Sequence, residues 1–172
     1  SSDLASVPNG KGTSTYNSGN VYEGEYYRGK REGKGVMDYV TSKDYYDGEW
    51  KAGVKFGQGL YYWGEGEQYQ GQFKEDTMHG WGLKEYADGR KFLGEWTKGK
   101  WNGLGVEIST TGEMITFGHW KDDLLNGEVR EYYLKDCFKY EDGKITEKVK
   151  RKDRMSTYEG STFTKRSLGS VF

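Results

Sequence analysis

Cysteine, proline and aliphatic side chains are what this chain of 172 residues has least of. Its one cysteine, Cys137, cannot build a disulfide framework or a cysteine-based zinc site, and a lone thiol fits a reducing compartment. The hydrophobic set amounts to only 33% of residues, with few Leu, Ile and Val, which excludes a thick aliphatic core. No apolar run approaches the roughly 20 residues of a membrane-spanning helix, and no secretory leader is recognisable. Neither sign of charge is in excess. The 26 Lys and Arg stand against 27 Asp and Glu, so net charge gives no reason to expect duplex nucleic acid as a ligand. A soluble, cytoplasmic chain is the expectation, and its start at Ser1 fits a fragment or a processed product.

What the chain has in quantity is glycine and aromatic side chains. It holds 27 Gly, 15 Tyr, 7 Phe and 6 Trp, and aromatics make up 16% of it. Disordered segments are poor in aromatics, and glycine usually reaches only about 7%. Any core here is therefore thin, built from rings packed against glycine.

Internal repeats are plain. The segments Tyr22-Glu-Gly-Glu-Tyr26, Tyr46-Asp-Gly-Glu-Trp50, Tyr69-Gln-Gly-Gln-Phe73 and Phe92-Leu-Gly-Glu-Trp96 align, with a weaker copy, Thr116-Phe-Gly-His-Trp120. Their glycines, Gly24, Gly48, Gly71, Gly94 and Gly118, are spaced 24, 23, 23 and 24 apart. Gly33, Gly57, Gly80, Gly103 and Gly127 form a second column at the same spacings, and Gly35, Gly59, Gly82, Gly105 and Val129 a third. Gly10, Gly12 and Tyr16 extend the pattern backwards as a half-repeat at 9–21. Each unit reads as a β-hairpin: an aromatic strand, a turn such as Tyr27-Arg-Gly-Lys30, and a second strand opening at Gly-x-Gly. Joined in series, the hairpins predict an antiparallel meander, about five hairpins giving a ribbon on the order of 50 Å long. Strand glycines should mark places where a ring lies flat on bare backbone.

The pattern Tyr-x-Gly-x-Trp-x-x-Gly-Lys-x-x-Gly-x-Gly resembles the membrane occupation and recognition nexus repeat, MORN, over roughly residues 9–135. The resemblance implies an all-β, elongated, single-layer solenoid of about five to six hairpins, with repeats starting near 22, 46, 69, 92 and 116. Asp76 and Asp123 depart from the pattern where a turn glycine is expected, and Val129 replaces the last glycine of its pair. The array is thus decaying by residue 129, as a terminal capping unit would. It opens in mid-repeat, which leaves room for further repeats ahead of Ser1.

The domain boundary is placed at 143, with a repeat array at 1–143 and a basic tail at 144–172. The tail carries eight basic residues against three acidic ones. Residues 145–155 read as a short helix with Ile145, Val149 and either Lys152 or Met155 inward, laid over an open strand edge that would otherwise invite aggregation. Residues 156–172, rich in Ser, Thr and Gly, read as an extended arm.

Candidate functional residues fall into three groups. Glu25, Glu49 and Glu95, with Gln72 in the same column, project one side chain per hairpin, either as a solvated face or as an acidic groove wall receiving a basic or helical peptide. Tyr26, Trp50, Phe73, Trp96 and Trp120 are either core or, where exposed, a surface that takes a partner helix. Lys148, Lys150, Arg151, Lys152 and Arg154 are either a solvated helix face or a weak, salt-sensitive contact with an anionic membrane, worth about 1 kcal/mol per basic residue near the bilayer. Tyr22, Tyr46, Tyr69 and Phe92 are read as core, and Cys137 as an apolar filler.

No catalytic arrangement emerges, and no cofactor or metal is implied. Gly-x-Gly here opens a strand, whereas a phosphate-binding loop needs a following helix. His79 and His119 lie in different repeats with no third ligand at metal spacing.

The functional expectation is therefore a non-enzymatic scaffold that docks protein partners. The family resemblance suggests a cytoskeletal, ciliary or membrane-associated setting. Two alternatives stay open: a phosphoinositide-binding module, and the regulatory part of a larger enzyme such as a phosphoinositide kinase or lysine methyltransferase. An open sheet edge or end-to-end contacts also admit a homodimer.

Overall fold

The computed structural model describes residues 7–133, 139–141, 144–147, 154–159 and 162–164. All its regular elements are antiparallel strands; no helix occurs among the described residues. The chain divides into two compact units, Ser1–Lys84 and Glu85–Phe172. In the first, strands β1 (Gly10–Thr15), β2 (Val21–Tyr27), β3 (Lys30–Tyr39), β4 (Asp44–Lys51), β5 (Val54–Trp63), β6 (Glu67–Lys74) and β7 (Thr77–Glu85) lie side by side in chain order. In the second, β8 (Lys91–Thr97), β9 (Lys100–Ile108), β10 (Met114–Lys121) and β11 (Leu124–Tyr133) repeat that order. A separate ribbon pairs β12 (Lys139–Glu141) with β13 (Lys144–Glu147). Beyond β11 the sheet continues with β14 (Arg154–Glu159) and β15 (Thr162–Thr164).

The tail therefore does not form the helix expected at 145–155. Residues 144–147 and 154–159 are strands, while 148–153 lie outside the described residues. Residues 144–147 pair with β12, and β14 satisfies the backbone groups along the edge of β11, which a helix laid across that edge cannot do. Val129 pairs with Ser156, and Gly127 with Tyr158.

Two kinds of turn alternate. Each motif hairpin closes through two residues with positive φ, namely Arg28-Gly29, Ala52-Gly53, Glu75-Asp76, Lys98-Gly99 and Asp122-Asp123. Such type I′ geometry matches the right-handed twist of the flanking strands. Aspartate stands in for glycine at 76 and 123 because it tolerates this region and supplies a side-chain acceptor. Asp123 Oδ1 accepts from the Trp101 amide at 2.8 Å, and its own amide donates to the Trp101 carbonyl at 3.1 Å. Asp76 holds Lys55 by the same pair of bonds, at 2.9 and 3.2 Å.

The two glycines of Gly-x-Gly do different jobs. The first sits in a bulge. Between the pairs Gly48↔Gly59 and Trp50↔Lys55, only Glu49 of β4 faces three residues of β5. Gly57 absorbs the mismatch at φ 64°, with the Glu49 carboxylate folded over it. The second glycine lies under a ring: a Cβ on Gly59 would stand 2.5 Å from Tyr46 Cε2. Tyr22 on Gly35 and Tyr69 on Gly82 repeat the contact, as does Phe92 on Gly105.

These rings are the core. Tyr22, Tyr46, Tyr69 and Phe92 are all fully buried. Tyr46 is held edge-on by Trp50 at 5.1 Å and Phe73 at 5.0 Å, and Tyr22 by Tyr26 at 5.1 Å and Trp50 at 5.3 Å. Each such contact contributes roughly 0.5–1.5 kcal/mol beyond its buried area. The tyrosine hydroxyls are not left bare. Tyr22, Tyr46 and Tyr69 donate to the carbonyls of Glu25, Glu49 and Gln72 at 2.9–3.0 Å. In the last repeat the exchange is complete: Thr116 replaces the ring, and Val129, fully buried, fills the space its glycine would leave.

Candidate interaction surface

Strand alternation divides each sheet into two faces. The ring face carries Tyr22, Gly24 and Tyr26 on β2 and their equivalents; the outer face carries Val21, Glu23 and Glu25. The aromatic candidates all sit on the ring face, and they are buried. Tyr26, Trp50, Phe73, Trp96 and Trp120 are 9%, 3%, 4%, 2% and 3% exposed. They are core, not a solvent-facing contact surface. The physical reason is that each packs edge-on against a central ring, as Trp50 does on Tyr22 and Trp120 on Phe92. Trp50 also donates its indole N–H to the Gly35 carbonyl at 2.9 Å.

A further column, not anticipated from the sequence, lies over these rings. Positions 31, 55, 78, 101 and 125 follow each motif turn, with Arg31, Lys55 and Trp101 among them. The Arg31 guanidinium stands 4.2 Å from the Trp50 ring, and its Nη2 donates to the Gly53 carbonyl. Lys55 Nζ lies 4.8 Å from the Tyr61 ring and 5.6 Å from that of Tyr39. Burial pushes the Lys55 ammonium below its ordinary pKa while Asp76, 4.0 Å away, opposes the shift. Trp101 stacks on Phe92 at 4.0 Å and donates to the Tyr86 hydroxyl at 2.9 Å. Only the motif glycines and aromatics announce themselves by identity. This column varies in chemistry, so position alone could have found it.

The glutamate column is half-buried and committed to the bulges. Glu49 Oε1 accepts from the Gln58 amide at 3.2 Å and pairs with Lys34 at 3.3 Å. Glu95 Oε1 accepts from the Leu104 amide at 3.2 Å. Glu25 covers Gly33 as its equivalents cover Gly57 and Gly103. In the first unit the outer face still forms a shallow groove of about 500 Å³, lined by Lys11, Thr13, Glu23, Glu25, Lys34 and Asp47 among others.

Burial also moves other groups. The Glu107 carboxyl is pushed above its ordinary range by desolvation, although Arg90 stands 3.4 Å away and opposes it. Desolvation raises Tyr22 to about 12 and pushes Tyr46, Tyr61 and Tyr69 higher still. His79 is half-buried and His119 exposed. Among the described residues no group of three or more His, Cys, Asp or Glu is placed to hold a metal ion. Lys148, Lys150, Arg151 and Lys152 lie outside the described residues, as does Cys137; Arg154 opens β14, its backbone in register with Glu131.

The outer face changes character along the chain. At one repeat position the residues run Glu23, Asp47 and Gln70 in the first unit, and Leu93 and Phe117 in the second. Leu93 is 49% exposed and Phe117 43%. Across the strands, Leu93 pairs with Val106 and Val106 with Phe117, while Ile108 pairs with Ile115 alongside. These side chains lie on regular, well-paired strands, so no irregularity of fold has forced them outward.

A protein-family model described as MORN repeat matches residues 6–21, 22–42, 46–68, 69–89 and 92–114. Among curated proteins, the chain is 34% identical to alsin from Rattus norvegicus, over 37% of this chain and 4% of alsin. The chain thus spans only a small part of that relative's length.

Proposed function

The chain belongs to the MORN repeat family, and from that premise we propose that it is a non-enzymatic scaffold whose β-sheet surface docks protein partners, in a cytoskeletal, ciliary or membrane-associated assembly. MORN repeats are in general protein- or membrane-interaction modules. The observation that carries the protein-docking reading is the division of labour between the two faces. On the ring face, aromatics and turn carboxylates are consumed in holding the sheet, and no buried side-chain polar atom among the described residues lacks a partner. On the outer face of the second unit, the large apolar side chains Leu93 and Phe117 are about half exposed on paired strands. Exposed apolar side chains gathered on an ordered surface are typical of interaction sites.

The test is proximity labelling in the native cell, with the full chain and with a variant in which Lys148, Lys150, Arg151, Lys152 and Arg154 are all changed to glutamate. The same cytoskeletal or ciliary proteins are expected from both. Recovery of membrane components alone, lost on charge reversal and matched by lost sedimentation with phosphoinositide vesicles, would replace the scaffold by a lipid-binding module.

A further inference from the structure

Leu93, Leu104, Val106, Ile108, Ile115 and Phe117 form one apolar patch across β8, β9 and β10 of the second unit. The corresponding positions of the first unit are Glu23, Lys34, Val36, Asp38, Tyr45 and Asp47. The strand pairing is the same in both places: Glu23 pairs with Val36 and Val36 with Asp47, as Leu93 pairs with Val106 and Val106 with Phe117. The fold accepts charge at these positions, so the apolar side chains in the second unit are not there to hold the sheet. Placing them in water forgoes about 25 cal/mol for each Å² left uncovered.

We propose that this patch is a docking site for a short amphipathic α-helix of a partner protein, an inference that rests on the scaffold reading and specifies its surface. Size argues against a second copy as the occupant. Of these six side chains only Leu93 and Phe117 are exposed, at 49% and 43%, the other four being half-buried, which is small beside the roughly 600–1,000 Å² a stable dimer needs from each partner. Shape argues for a helix. Three strands span about 10 Å and five residues of β9 run about 14 Å, which matches the 10–12 Å diameter of a helix over about ten residues. Chemistry selects it over an extended peptide. A strand lying on the face of a sheet would set its unpaired N–H and C=O groups against Leu, Val and Phe, whereas a helix satisfies its own backbone. Arg130 is exposed and pairs in register with Phe117, so an acidic side chain on the helix flank has a cation beside the patch. The partner motif is therefore apolar at i, i+3, i+4 and i+7, with a carboxylate flanking it.

The experiment uses the full chain and a double variant, Leu93→Glu with Phe117→Asp, which installs the residues that Glu23 and Asp47 already place at these positions. The probe is a fluorescein-labelled 16-residue peptide of Leu, Ala, Glu and Lys with that apolar spacing, read by fluorescence anisotropy beside a scrambled peptide of equal composition. Saturable binding of the patterned peptide is expected, at least tenfold tighter than that of the scrambled one and at least tenfold weakened in the double variant. The variant's melting midpoint is expected to match that of the wild type, which separates lost docking from lost folding. Equal binding by variant and wild type, or none by either, overturns the proposal. A wild-type dimer in sedimentation velocity that the double variant disperses overturns it in favour of a second copy. If the patch fails while native-cell labelling still returns protein partners with the double variant, the scaffold reading survives and the partners dock elsewhere.

Discussion

Replacing Gly59 by valine tests whether ring and glycine are two halves of one volume. The backbone there has no positive φ, so it accepts a side chain without strain. The space does not: an added Cβ would stand 2.5 Å from Tyr46 Cε2 and 2.7 Å from Cζ. The ring cannot retreat, because Trp50 and Phe73 hold it edge-on at 5.1 and 5.0 Å. Overpacking of this kind costs about 1–3 kcal/mol, and a rigid ring face places it at the upper end. Tyr46→Thr alone removes the ring and leaves a cavity, at about 3–5 kcal/mol. Were the two sites independent, the double variant would lose roughly 4–8 kcal/mol, which is most of a typical domain's stability. The last repeat already combines Thr116 with Val129 at the equivalent positions, both buried. The double variant should therefore recover about 2–3 kcal/mol of that sum, since the valine occupies the space the ring has left. Urea titrations of wild type, both single variants and the double, followed by tryptophan fluorescence and far-UV circular dichroism, give the coupling energy directly. Additivity within about 0.5 kcal/mol would refute the volume exchange.

Three further outcomes follow from the turns, the bulges and the half-buried Glu107 carboxyl. Glu49→Ala strips the Gln58 amide of its acceptor and should cost about 1–2 kcal/mol in chemical denaturation. Glu49→Gln should cost less than half of that, because a side-chain carbonyl remains, as Gln72 shows at the equivalent position. Asp123→Ala loses the 2.8 Å bond to the Trp101 amide and leaves a β-carbon at φ 69°. It should lower the melting midpoint more than Asp123→Gly, which loses the bond but not the turn. Glu107 binds its proton more tightly in the folded state than in the unfolded one, since burial raises its pKa. It thus favours folding below that raised value and costs stability as pH rises through it. Stability of wild type relative to Glu107→Gln should fall between pH 4 and pH 7; a relative gain would show that the Arg90 pair outweighs burial.

The fold was legible because its cause is periodic. Tyr22, Tyr46 and Tyr69 recur at fixed distance from glycines that they physically cover, so the residue identities record the contact. The turns were legible for the same reason, and even the substitutions at Asp76 and Asp123 stayed within the chemistry a left-handed turn allows. The tail was not. Ile145, Val149 and Met155 have helical spacing, but 144–147 pair with β12 and 154–159 with the edge of β11, tertiary facts no local pattern contains. The burial of the aromatics was not legible either, since a flat single layer would leave one face of each ring open. Here Tyr22, Tyr46 and Phe92 are each enclosed by rings from their own strand and the next motif strand, and Trp101 further roofs Phe92.

That enclosure bears on where specificity resides in such a chain. A strand has two faces, and in each hairpin the ring face is fixed by the motif: a ring, a glycine, a second ring. A ring there changes together with the glycine diagonal to it across the ladder, as Thr116 and Val129 do, Thr116 pairing directly with Glu131 and Val129 with Gly118. The outer face carries no such obligation. Glu23 and Phe117 occupy the same register, opposite Val36 and between Val106 and Arg130 respectively, and the sheet forms around both. Information about a partner can be written only where the fold is indifferent, so it must be sought in positions that differ between repeats and not in those that define them. By that criterion the motif residues, however regular, identify the ribbon, and the drift from Glu23 to Phe117 marks the place where one hairpin differs from another to a ligand.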